Sequence, residues 1–195
     1  MSGGPIPDIP YVSLDFGRSW NLRLMIHYIG DIHQPLHSVS RYTPDRPNGD
    51  AGGNFYGLER REPLTEINNM HSVWDSVIYS QGQDFPQPLE DDVWEYLGGQ
   101  AIDLRTENPE SAFAEGELDT PYQLWSEEAV ALSKEFVYTD AVEGEAISDE
   151  YLESRLPICR RQLAKGGYRL ARMLTDIYDE MTALSGETSA AEVTQ

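Results

Sequence analysis

Two histidine–carboxylate pairs, each spaced four residues apart, constrain this chain more than any other feature: His27 with Asp31, and His71 with Asp75. On an α-helix that spacing stacks both side chains on one face, one turn apart. An imidazole and a carboxylate so placed can close on one divalent ion, and two such pairs can face each other across a helical bundle. The chain has four histidines. All fall in two segments, His27-Tyr-Ile-Gly-Asp31-Ile-His33-Gln-Pro-Leu-His37 and His71-Ser-Val-Trp-Asp75. Pro35 makes Gln34 a poor helical residue, so the first helix is expected to end near it and to bring His37 in from a turn. A single His–x3–Asp pair is usually a hydrogen-bonded or solvated pair. Two of them plus His37 point instead to a metal site. His33, two residues from Asp31 and on another face, reads as a structural hydrogen-bonding histidine.

The rest of the pattern is helical and predicts an all-α chain, an irregular multi-helix bundle with long loops. No alternation is strong enough to indicate a sheet. Pro5, Pro7 and Pro10 make residues 1–15 an irregular lead-in. The body is expected over 16–184 and a polar, disordered tail over 185–195. Leu22, Met25, Ile26 and Ile29 recur at threes and fours from Arg18 to Asp31 and predict one buried flank. Residues 38–64 are punctuated by Gly and Pro, and a loop this long in a compact domain is often functional. Asn68 or Asn69 is placed to cap a helix through about Tyr79, packed by Met70, Val73, Trp74, Val77 and Ile78. Further helices are expected from about Leu89 to Arg105 and after Thr120-Pro121, where Trp125, Ala129, Leu132 and Phe136 form a stripe. Another is expected from Ser148, and a long one beyond Pro157. Gly166-Gly167 inside the last predicts a tight helix contact.

With 34 acidic and 14 basic residues and a formal charge of −20, the chain is no general nucleic-acid-coating protein, because backbone affinity for nucleic acid comes largely from Lys and Arg. A phosphodiester substrate would need a local cationic site, which bound metal ions can supply. The basic stretch from Arg155 to Arg172 is most economically read as salt-bridged to acidic neighbours. Cys159 is the single cysteine, which excludes an internal disulfide and reads as a small apolar residue on a helix. No transmembrane run is present, and Met1 to Gly17 lacks the basic start and apolar core of a secretory signal.

At the histidine segments the chain also resembles a family. The two motifs, with Gly49-Asp50-Ala-Gly52-Gly53-Asn54 between them, are similar to those of the class I zinc-dependent nucleases, the S-one/P-one group of fungi, plants and protists that includes 3′-nucleotidases. The resemblance continues through Trp125-Ser-Glu-Glu-Ala and Arg155-Leu-Pro to Lys165-Gly-Gly-Tyr-Arg-Leu-Ala171. It covers most of residues 20–178 and corresponds to the C-terminal part of the family domain.

The resemblance implies a fold like zinc phospholipase C and P-one nuclease, lacking its N-terminal part, with up to three zinc ions in the complete family site. His37, His71 and Asp75 match the protein ligands of one zinc. His27 and Asp31 match half of a second site, and Asp31's counterpart bridges to a third ion, which gives it a catalytic role. Asp50, Asn54 and Trp74 are expected to support or wall the site. The implied reaction is hydrolysis of single-stranded DNA or RNA to 5′-phosphate products, or of 3′-nucleotides. Upstream family ligands, including histidines, have no counterpart before His27, so one complete zinc site and a truncated form are expected. Two alternatives stand beside this: a catalytically silent zinc-binding or structural fragment, and a zinc phosphoesterase on another substrate. The expected partners are nucleic acid or nucleotides and a missing N-terminal segment, with no membrane. Secretion or a lysosomal or vacuolar location is what the family implies.

Overall fold

Ser13 opens the first helix, its hydroxyl accepting the Phe16 amide at 3.1 Å. In the computed structural model, which describes residues 13–62, 67–76 and 88–192 with side chains through residue 183, helix α1 then runs Leu14–Asp31. A 3₁₀ turn follows at Pro35–Ser38, where the sequence predicts a break. Helix α2 spans Met70–Ser76. Asn69 caps it, its side-chain oxygen accepting the Ser72 amide at 2.8 Å while the Ser72 hydroxyl accepts the Asn69 amide at 3.3 Å. Val77, Ile78 and Tyr79, expected to continue this helix, lie outside the described residues, as does most of the lead-in.

Helix α3 spans Asp91–Glu107, with Asp91 and Asp92 in its first turn against the positive end of the helix dipole. Helix α4 spans Tyr122–Leu132 and passes into a π turn at Ser133–Val137. Helix α5 spans Asp149–Glu192, opened by the Ser148 hydroxyl, which accepts the Tyr151 amide. The chain is all-α. Its only extended pairings among the described residues are two isolated bridges, Thr43 with Arg46 and Gly57 with Asn69.

Two expectations are revised. The sequence separates a helix at Ser148 from one beyond Pro157, yet α5 is continuous with Pro157 inside it. Pro157 and Glu153 both lie on the exposed side, where water can take the carbonyl that loses its partner at the proline. Helix α5 continues to Glu192, and 193–195 lie outside the described residues. On α1, Ile29 is buried but Leu22 and Ile26 are exposed, as are Phe16 and Trp20. Among the described residues, α1 packs against α5, and nothing covers the Leu22 side.

The core is built where α2 meets the start of α5. Leu36, Met70, Val73, Trp74, Val137 and Tyr151 are almost fully enclosed. Tyr151 ties three segments: its hydroxyl accepts from Trp74 Nε1 at 2.9 Å and donates to the Val137 carbonyl at 2.6 Å. Further along α5, all six basic residues expected to be salt-bridged have carboxylate partners. Arg155 pairs with Asp140 and Arg160 with Glu107. Arg161 and Lys165 meet Glu117, Lys165 and Arg169 meet Glu128, and Arg172 meets Glu110 and Asp119. Arg169 has no exposed side-chain surface. It also donates to the Glu117 carbonyl and to Thr120, so it locks α5 to α4 and to the turn before it.

Candidate metal centre

Asp31 ends α1, and His27 lies one turn earlier with Nε2 3.1 Å from Asp31 Oδ2. His37 arrives on the 3₁₀ turn with its ring between two carboxylates. Its Nδ1 is 3.5 Å from Asp31 Oδ2 and its Nε2 is 3.5 Å from Asp75 Oδ1. From α2, His71 Nε2 stands 3.4 Å from Asp75 Oδ2. The His37 and His71 rings stack with centroids 4.9 Å apart and planes 17° apart. The end of α1, the 3₁₀ turn that follows it and the later helix α2 thus bring His27, Asp31, His37, His71 and Asp75 into one cluster.

Within it, one ligand atom each from His37, His71 and Asp75 lie within 4.8 Å of one another. Two ligands about 2.0–2.1 Å from a tetrahedral zinc stand roughly 3.4 Å apart. The two imidazoles approach opposite oxygens of the Asp75 carboxylate, His37 at 3.5 Å from Oδ1 and His71 at 3.4 Å from Oδ2, spacings of the order that neighbouring zinc ligands take. The donor set of two imidazoles and a carboxylate is one that could hold a divalent ion of the zinc type, and three protein ligands would leave room for water or substrate.

Neighbouring groups fix these ligands. His71 Nδ1 lies 2.8 Å from the Gly52 carbonyl, so it carries the proton and Nε2 presents its lone pair to the cluster. Gly52 has φ +65°, and a Cβ there would stand 2.4 Å from the Leu36 carbonyl, so only glycine lets this carbonyl reach His71. Gln34 Nε2 donates to Asp75 Oδ1 at 2.8 Å. Gln34 and the Gly52 carbonyl were not identified from the sequence, where Gln34 registers only as the residue before a proline.

Asp50, Asn54 and Trp74 occupy different places. Asp50 is fully buried and holds the loop: its carboxylate accepts the Arg41 amide at 2.8 Å and the Tyr138 hydroxyl at 2.7 Å. Asn54 is exposed, its amide donating to the Ala51 carbonyl within the same loop. Trp74 belongs to the core and also walls a cleft of about 250 Å³ together with Asp31, Gln34, His37 and Asp75. Cys159 also lines that cleft, and burial pushes its thiol up to about 12.

His33 is turned away from the cluster's ligands. Its Nδ1 donates to the Ile29 carbonyl and its Nε2 accepts from Arg169, while its ring lies against Trp125. Burial is the main cause that lowers its pKa to about 4, and Arg169 adds to it. It is the structural, hydrogen-bonding histidine the sequence predicts.

The five clustered side chains fall within residues 14–179, which match the family model described as S1/P1 Nuclease. The chain belongs to the S1/P1 nuclease family. Endonuclease 5 of Arabidopsis thaliana is 29% identical over 171 residues, covering 85% of this chain and 53% of that protein. Endonuclease 4 of the same plant is 31% identical over 170 residues, covering 85% and 52%. Nuclease S1 of Aspergillus oryzae is 26% identical over 168 residues, covering 78% and 52%. This S1/P1 family chain therefore spans about half the length of the relatives it matches. No helix among its described residues is long and apolar enough to cross a membrane.

Proposed function

We propose that this chain binds zinc through His37, His71 and Asp75, with Asp31 and His27 available to a neighbouring ion, and hydrolyses phosphodiester bonds of single-stranded nucleic acid or the phosphate of 3′-nucleotides. The observation that carries the reading is the convergence of three ligand atoms within 4.8 Å inside a chain of the S1/P1 nuclease family. Bound zinc supplies Lewis-acid polarisation of a phosphoryl oxygen and activation of water at neutral pH. The protein's part is placement. Gly52 and Gln34 hold His71 and Asp75 in ligating orientation, and Trp74 walls the cleft beside them. Asp31, reached by both His27 and His37, is the residue suited to link one ion to the next. The polymer products under this reading carry 5′-phosphates. By family resemblance, the compartment is secretory, lysosomal or vacuolar.

A second reading is favoured by the composition of the neighbouring site, to which the described residues bring His27 and Asp31. Here the chain binds zinc without turnover. Elemental analysis for zinc per chain, paired with chelator-sensitive hydrolysis of single-stranded DNA and 3′-AMP, separates the two. Hydrolysis abolished by chelation and restored by zinc supports the first. One zinc per chain with no turnover supports the second. No zinc retained overturns both.

A further inference from the structure

In a chain with 34 acidic and 14 basic side chains, a groove lined by cations and no carboxylate calls for an explanation. The segment 38–42, with Val130, Ser133, Lys134 and Tyr138, walls a groove of about 530 Å³. Arg41 and Lys134 line it, and neither has an acidic side chain within ion-pair distance among the described residues, unlike the six cations of α5.

Both cations are set by structure. The Arg41 guanidinium lies 5.3 Å from the Tyr138 ring centroid and 5.7 Å from that of Tyr56, and its backbone is held by buried Asp50. Aromatic contact engages the guanidinium face and leaves its N–H edge for a bidentate acceptor. Lys134 sits in the π turn Ser133–Val137, a local irregularity often found at functional sites. Ser133 donates to the Pro35 carbonyl at 3.1 Å, joining that turn to the one that carries His37. Ser38, the neighbour of His37, lines the groove, and Arg41 follows within about 11 Å of chain at full extension. Tyr42 offers an exposed ring at the same wall.

We propose that this groove is a subsite for a backbone phosphate of single-stranded nucleic acid, with Arg41 and Lys134 gripping the phosphate and Tyr42 stacking on an adjoining base. An oxyanion between two cations gains charge-assisted hydrogen bonds, and an aromatic ring accepts any base. The substrate class rests on the nuclease reading, so the test measures binding apart from turnover.

The experiment is fluorescence anisotropy of the 195-residue chain with a labelled oligothymidylate in EDTA at several salt concentrations. Lys134→Ala is expected to weaken binding about fivefold and to lower the salt slope by about one. Lys134→Glu weakens it further. Arg41→Lys, which keeps the charge and loses the fork, weakens it less. Arg60→Ala removes an exposed cation outside the groove and leaves affinity unchanged. The proposal is overturned if Lys134→Glu binds like the unaltered chain, if Arg60→Ala weakens binding as much as Lys134→Ala, or if the unaltered chain does not bind the oligomer. With zinc restored, binding that depends on Lys134 without hydrolysis leaves the groove standing and sinks the catalytic reading. Hydrolysis alongside binding that ignores Lys134 does the reverse.

Discussion

Gln34 uses both ends of its amide: the nitrogen donates to Asp75, and the oxygen accepts the Leu36 amide. It therefore fixes a carboxylate of α2 against the turn that carries His37. Gln34→Ala is expected to lower zinc affinity about 10- to 100-fold, as for other residues that orient ligands, with circular dichroism unchanged; competition with a chromophoric chelator measures it. Gly52→Ala acts through the backbone. Its Cβ would meet the Leu36 carbonyl at 2.4 Å, so the loop must shift and His71 loses its acceptor. Zinc retention should fall at least as far as for Gln34→Ala, with a lower melting temperature. Four of the five clustered side chains were legible in the sequence because i, i+4 spacing states which side chains share a helix face, and His37 because Pro35 ends the helix ahead of it. Gln34 and the Gly52 carbonyl were not, since their roles depend on where a turn and a loop land against α2. Asn54 shows the converse: a loop amide beside the Gly52-Gly53 turn that bonds within its own loop.

At the scale of elements, the paired glycines of α5 have opposite surroundings. A Cβ at Gly166 would stand 3.2 Å from the His33 ring, while one at Gly167 meets nothing within 4 Å. His33 cannot yield easily, being bonded at both nitrogens and set against Trp125. Gly166→Ala is therefore expected to destabilise the fold by about 1–2 kcal/mol, and Gly167→Ala to stabilise it by up to about 1 kcal/mol through helix propensity. Urea denaturation of the two variants decides. The tight contact was legible from the glycine pair; which glycine makes it was not, because that depends on the phase of α5 against the His33 turn. The caps at Asn69 and Ser148 were legible for a local reason, a side-chain acceptor placed ahead of an apolar period. The continuity of α5 through Pro157 was not, since the exposed placement of the proline is a tertiary fact. The exposed Leu22 side of α1 likewise shows that periodicity identifies an apolar face without saying what covers it.

Over the whole molecule, the acidic surplus is tempered where α5 docks. Burial alone would raise the Glu128 carboxyl, but the Arg169 hydrogen bond and the charges of Lys165 and Arg169 outweigh it and hold the group below its ordinary range. Glu117 is held down similarly, with Lys165 the main opposing influence to burial. A depressed carboxyl pKa gives stability that is fully present above the ordinary value of 4.5 and is lost as pH falls below it. Stability from this network should therefore be level down to about that pH and then decline. Glu128→Gln should flatten the decline and cost about 3 kcal/mol at neutral pH, because Arg169 is left enclosed without its counter-charge. Thermal melts across pH test both. The hydroxyl of Ser133, bonded to the Pro35 carbonyl, has a mechanical consequence. It fastens the irregular end of α4 to a peptide two residues ahead of His37, so a pull on Lys134 reaches that imidazole through a single short strut.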